Sequence, residues 1–245
     1  MQIVISIDDT DNLESRGTGE IASLIAEGLT ANGWGSASLV TRHQLLVHPD
    51  IPYTSHNSAM CFLAEINEGC LEQVISFAGD FLGRESAEGS DPGLCVVSLP
   101  DLKHAPELIA FGRRAKLEVI TMPEAYQLAD RIGAHLSEHG GTGQGIIGAL
   151  AGAGLRLWGN DGRMKGSLKF SRETVPAAEL LAHPNVDEVR SITGESVDAL
   201  DLVRLGEKPK TVLIDGASVL LVSAAEAGEG EPLWQTLHRK ELKDY

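Results

Sequence analysis

"QIVISIDDTDNLESRGTGEIASLIAEGLTANG", residues 2–33, holds three kinds of segment in a row. Residues 2–7 are a short apolar run with period-two character, which predicts a strand. Ile21, Leu24, Ile25 and Leu29 recur at helical spacing with Gly33 as a stop, so the pattern predicts a helix over 19–32. Residues 36–47 read as a second strand. Strand, loop, helix, strand is a β-α-β unit, and its first loop carries Asp8, Asp9 and Asp11, followed closely by Gly17 and Gly19.

Those three acids crowd the end of a buried strand. Neighbouring strand side chains point to opposite faces, so Asp8 and Asp9 diverge unless the chain turns, whereas Asp9 and Asp11 share a face if the strand continues. Each carboxylate pair repels by about 1 kcal/mol at dielectrics between surface and water. A divalent cation offsets this, and Mg²⁺ accepts one or two carboxylates plus phosphate oxygens. Open α/β sheets bind ligands at the carboxyl ends of strands. Gly17 and Gly19 let backbone amides approach a phosphate, and a helix starting at Gly19 offers N–H groups to an anion. A helix cap or an Asx-turn is the competing structural reading. The G-K-[ST] ending of a Walker A loop is absent.

Downstream, residues 48–58 form a polar loop, 59–66 a strand and 70–82 a helix. "SDPG" at 90–93 is a turn leading into a strand over 94–99, a second β-α-β unit. Residues 106–116 and 123–136 read as helices with Pro and an acid in the first turn. "SEHGGTGQG" at 137–145 is the sharpest composition break and sets a domain boundary, 1–138 and 139–245. The second part holds a strand near 166–171, a segment at 186–192, and strands at 211–214 and 218–222 joined as a hairpin by Asp215 and Gly216. The tail, 228–245, reads as a terminal helix or mobile. The expected fold is α/β (α+β): two domains built from β-α-β units with a ligand cleft between them.

Composition narrows the function classes. Of 245 residues, 20 are Lys or Arg against 35 Asp or Glu, so the net charge of −15 repels phosphate backbones. The nearest basic cluster in sequence is Arg113, Arg114 and Lys116, read as a solvated helix face. Cys61, Cys70 and Cys95 lack C-x-x-C spacing and read as reduced, apolar residues. His43, His48 and His56 fit no zinc pattern. "GNDGR" at 159–163 carries turn chemistry, with Arg163 and Lys165 within reach of a phosphate across the cleft. No run of about 20 apolar residues occurs, and the chain reads as cytoplasmic.

"IDDTDNLESRGTG" resembles the opening of the archaeal isoleucine-tRNA 2-agmatinylcytidine synthetase family. Further segments are similar in the same order: "LLVHPDIPYTSHNSA" at 45–59, "SDPGLCVV" at 90–97, "GQGIIGALAGAG" at 143–154 and "SITGES" at 191–196. The resemblance implies an ATP/Mg²⁺-dependent kinase-like domain followed by a ferredoxin-like second domain. Family members activate C2 of a cytidine by phosphorylation and let agmatine displace the phosphate. On this reading Asp8, Asp9 and Asp11 are the catalytic and Mg²⁺-binding residues. Gly17, Thr18, Gly19, Asn57, Gly143 and Gly145 hold ATP. The chain departs from the family in lacking room for an OB-fold and zinc ribbon. Gly19, Glu20 and Ile21 replace its paired threonines. Ser55 with His56, Gln144 and Thr193 stand where the family carries basic residues. The resulting expectation is an ATP-dependent kinase-like transferase or ligase. It acts on an unidentified small-molecule acceptor, with tRNA not expected as a partner. The alternatives are a non-catalytic nucleotide- or metal-binding regulatory module, and a shortened tRNA-modifying enzyme working with a separate RNA-binding subunit.

Overall fold

A computed structural model describes residues 1–51, 57–225, 232–243 and 245. They form two compact units, Met1–Trp158 and Gly159–Tyr245.

In the first unit, β1 (Gln2–Asp8), α1 (Thr18–Ala31), β2 (Gly35–Ala37), β3 (Thr41–Gln44), β4 (Ser58–Ile66), α2 (Leu71–Glu85) and β5 (Gly93–Ser98) come first. They are followed by α3 (Ala105–Arg114), α4 (Met122–Ile132), β6 (His135–Glu138) and α5 (Gly145–Trp158). Strand β1 is central and pairs antiparallel with β4 on one side, Ile5 opposite Phe62, and with β5 on the other, Ile5 opposite Val96. Strands β2 and β3 follow one another along the far edge of β4, and β6 flanks β5. The class is mixed α/β, but each β-α-β unit is split: its two parallel strands have an antiparallel strand between them. This β-α-β-β-α-β connectivity is the ferredoxin-like pattern. It was expected of the second domain and is found in the first unit.

Side-chain alternation in β1 feeds two layers of helix. Ile3, Ile5 and Ile7 pack with Ile21, Ile25 and Leu29 of α1 and Val74, Ala78 and Leu82 of α2. Val4, on the opposite face, packs in a core with Leu108 and Phe111 of α3, Leu128 of α4, and Ile146 and Leu150 of α5. A strand covered on both faces reads as a continuous apolar run, and residues 3–8 are all buried. Helix α5 comes unusually close to the sheet. A Cβ on Gly148 would overlap the Asp8 carboxyl, one on Gly152 would crowd Ser6 Oγ, and one on Gly145 would strike the Asp91 carbonyl.

Three departures from the sequence reading have local causes. The strand expected over 36–47 breaks after Ala37: Ser38 N–H donates to the Leu63 carbonyl (2.8 Å), and Leu63 N–H turns to Ser38 Oγ (3.0 Å). The helix expected to reach residue 136 stops at Ile132, because Gly133 adopts a left-handed φ of 76°. The chain then returns as β6 beside β5. Because β6 and α5 complete the first sheet and core, the division falls after Trp158 and not after residue 138.

The second unit comprises β7 (Arg163–Met164), β8 (Thr174–Pro176), α6 (Ala177–Leu181), β9 (Glu188–Ser191), β10 (Leu202–Arg204), β11 (Val212–Ile214), β12 (Ala217–Ala224) and β13 (Trp234–Thr236). Strand β12 is its spine, antiparallel to β11 and β13 and parallel to β9. Strand β10 runs parallel to β13 and antiparallel to β8, and β7 pairs with β11. Asp215 (φ 52°) and Gly216 (φ 80°) make the expected hairpin turn in the left-handed region such a turn requires. Val175, Leu180, Val203, Leu220, Val222 and Trp234 form its core. The strand expected near 166–171 does not form, the nearest being the short Arg163–Met164, and the tail contributes strand β13 in place of a helix. Residues 228–231 and 244 of that tail lie outside the described residues.

Two glycine substitutions test the close approach of α5. Gly148→Ala is expected to destabilise the chain by about 1–3 kcal/mol in urea or thermal melts, because its methyl meets the buried Asp8 carboxyl. Gly83→Ala, in α2 with open space at its Cβ position, is expected to be neutral or to stabilise by up to ~1 kcal/mol.

Candidate functional site

The end of β1 sets the site. Alternation sends Asp8 to the α5 side, where it is buried against Gly148. Asp9 has a left-handed φ of 52°, so the chain turns there. The divergence expected of a continuing strand does not occur: Asp8, Asp9 and Asp11 all line one cavity of about 230 Å³. Asp11 Oδ1 accepts a hydrogen bond from Thr18 Oγ1 (3.2 Å), and that hydroxyl accepts one from Thr10 N–H (3.4 Å). Thr18 thus ties the acidic loop to the first turn of α1.

Two helix N-termini reach the cavity. Gly17, Thr18 and Gly19 open α1, whose N-cap makes no side-chain capping bond. Gln144, Gly145 and Gly148 bring in the start of α5. Each N-terminus carries partial positive charge and outward N–H groups. Asp91, in the "SDPG" turn, accepts bonds from the Thr142 backbone N–H and from Thr142 Oγ1 (2.5 Å), which anchors the Gly-rich loop before α5. Its own backbone N–H donates to the Asp9 carboxyl.

The remaining wall is mixed. Asn57 lines it and donates through Nδ2 to the Leu46 carbonyl (2.6 Å). Leu45, Ile51, Met60, Val119 and Ile120 make it apolar, while Arg42 of β3 places a guanidinium there, with Nε donating to Ser58 Oγ (3.0 Å). Of the residues expected from the sequence, Gly143 alone does not line the cavity. It lies against Glu138 with φ 81°, and its carbonyl accepts Ile146 N–H (3.3 Å) at the start of α5. Every lining residue belongs to the first unit, so this cavity is not the expected cleft between domains. Arg42 escaped the sequence reading, whereas Gly148 belongs to the 143–148 segment expected to line the site, though its place over Asp8 was not foreseen. Arg42 is one cation in an ordinary strand, and the position of Gly148 over Asp8 depends on packing between segments 140 residues apart.

Burial pushes the Asp8 carboxyl up to about 8, with the charges of Asp9 and Asp11 adding to it. Asp9 is pushed up to about 6, first by burial and then by Asp91 and Asp11. Among the described residues no three His, Cys, Asp or Glu side chains converge as a ready metal cluster. The hard oxygen donors nevertheless fit Mg²⁺, which is commonly held by one or two carboxylates and completed by phosphate and water. His43 is buried and bonded to Thr41 Oγ1 (2.8 Å), and His56 lies outside the described residues. The cysteines are free, and burial pushes the Cys61 thiol up to about 12. No helix among the described residues is long and apolar enough to cross a membrane.

Comparison with known proteins finds this fold among tRNA-modifying enzymes. The chain is 30% identical over 161 residues to the isoleucine-tRNA 2-agmatinylcytidine synthetase TiaS of Methanosarcina acetivorans, covering 63% of this chain and 36% of that protein. It is 31% identical over 160 residues to TiaS of Methanosarcina mazei, with the same coverage. Its fold matches the crystal structure of apo TiaS (TM-score 0.54, 25% identity, 63% of this chain and 35% of that one). It also matches a complex of TiaS with its isoleucine tRNA and ATP (TM-score 0.56, 23% identity, 76% and 47%), a likeness of fold. No family model matches the sequence. The chain is therefore TiaS-like over part of its length, and it spans about a third of the curated relatives it matches. One expectation is overturned: with an isoleucine tRNA in the name of both relatives, tRNA can no longer be set aside as a partner.

The pKa shifts predict a pH dependence. A carboxyl with a folded-state pKa above its unfolded value favours folding most at low pH, and that advantage is lost as pH rises through the folded value. The Tm of the ligand-free protein should fall between pH 5 and 8.5. Asp8→Asn, which cannot ionise, should raise Tm at pH 8.5 by several degrees and by clearly less at pH 5, because the loss accumulates between the ordinary value of 3.8 and about 8. Thermal melts across that range check this.

Proposed function

We propose that the first unit binds ATP with Mg²⁺ in this cavity and that the chain serves ATP-dependent modification of tRNA. One observation carries the reading: the Asp8–Asp11 loop, two helix N-termini and Arg42 surround the same cavity. N–H groups at the starts of α1 and α5, with the Arg42 guanidinium, suit phosphate oxygens. Asp9 and Asp11, with Asp8 behind them, suit the cation. Bound there, Mg²⁺ supplies charge neutralisation for phosphoryl transfer. The apolar wall of Leu45, Ile51, Val119 and Ile120 receives the base, and the acceptor is a nucleotide of the tRNA. The names of the 30–31% identical relatives support the RNA half of the reading.

Calorimetry with ATP, with and without Mg²⁺, tests the nucleotide half. Binding is expected to require Mg²⁺ and to weaken at least ~10-fold in both Asp9→Asn and Arg42→Gln. ATP turnover stimulated by an isoleucine-tRNA transcript supports the enzyme, and tight ATP binding without turnover under any RNA supports a regulatory module instead. Equal ATP affinity in the wild type and both variants would remove the cavity from consideration.

A further inference from the structure

The chain is acidic, yet its charge is unevenly distributed. Residues 163–172, 206–211 and 236–243 hold nine of the 20 Lys and Arg but only two of the 35 Asp and Glu. These segments are distant in sequence, and the second unit folds them side by side. Met164 N–H donates to the Thr211 carbonyl (3.0 Å) and Leu168 N–H to the Pro209 carbonyl (2.8 Å), setting Lys165 and Lys169 beside Lys208 and Lys210. Gly206 N–H donates to Thr236 Oγ1 (2.8 Å), which brings in the segment carrying Arg239, Lys240 and Lys243.

Lys165, Lys169 and Lys208 are exposed and, among the described residues, make no ion pair, in a protein with carboxylates to spare. Arg163 is buried with the like charge of Arg239 acting on it, and burial and that neighbour both hold its guanidinium below its usual range. Asp161 opposes that neighbour at Arg163, but the exposed Lys165, Lys169 and Lys208 repel one another without a counter-ion among the described residues, and an external row of anions relieves that repulsion. The first unit behaves in the opposite way. Its one basic run is spent internally, with Arg114 paired to Glu118 and Glu124 and Arg113 stacked over Trp158 at 4.8 Å.

We infer that Lys165, Lys169, Lys208 and Arg239 form a docking strip on the second unit for the phosphate backbone of an RNA. The strip contains no pocket-lining residue and faces phosphates without reading bases, so it positions the RNA and does not select its sequence. The choice of RNA over other polyanions rests on the function proposed above.

The test uses the full chain, an isoleucine-tRNA transcript and two matched variants. One is Lys165→Gln/Lys169→Gln/Lys208→Gln. The other carries the same charge change on the first unit, Arg84→Gln/Lys103→Gln/Arg131→Gln. The wild type should bind the transcript with steep salt dependence. The second-unit variant should lose at least ~10-fold in affinity and about 2 from the slope of log K against log salt, with ATP affinity unchanged. The first-unit variant should bind RNA nearly as the wild type does. Transcript binding that survives in the second-unit variant, or falls equally in both, overturns the strip while leaving tRNA as a partner. Absence of wild-type binding at low salt overturns both proposals. Phosphatidylserine vesicles bound in place of RNA, and released by the same lysine changes, assign the strip to a membrane and overturn it as an RNA surface.

Discussion

The contact between α5 and the end of β1 determines the first unit. Glycines at 145, 148 and 152 let the helix settle onto Asp91, Asp8 and Ser6 with no intervening side chain. Close settling brings the N-terminus of α5 level with the acidic loop, where the start of α1 already stands. It also removes water from the Asp8 carboxyl, which accounts for most of that group's resistance to ionisation. Site and core therefore share one contact.

Charge compensation follows from the same arrangement. Three carboxylates at a strand end are uncomfortable without partners, and the described structure offsets them only in part. Thr18 and the Asp91 amide take up hydrogen-bonding capacity of Asp11 and Asp9. The starts of α1 and α5 and the Arg42 guanidinium bring positive charge to the same cavity, whose lining also includes Asp50 and Glu118. The function proposed above uses both signs of charge, the acids for a cation and the helix starts and Arg42 for a polyphosphate.

Much of this was legible in the sequence where local rules operate. The alternation of Ile3, Ile5 and Ile7, the spacing of Ile21, Ile25 and Leu29, and the Asp215–Gly216 hairpin each depend on neighbours in the chain. The acidic loop and its glycines were legible because their chemistry is uncommon at a strand end. What failed depends on packing over long separations. Whether the strands of a β-α-β unit are adjacent is decided by β4 and β5 entering on either side of β1, and nothing in residues 2–47 records that. The helix expected to run through Gly133 shows a single stop signal outweighed by flanking apolar spacing. Net charge averages over a surface and so concealed how unevenly the cations are placed: three short basic segments meet only after the second unit has folded.

A carboxyl that stays protonated at neutral pH changes what loading the site entails. If the cation reaches Asp8, that group must surrender its hydrogen to solvent, so uptake becomes an exchange of one positive species for another. Apparent affinity would then track the acidity of the medium as well as ligand concentration, and the heat released would depend on whichever buffer collects the proton.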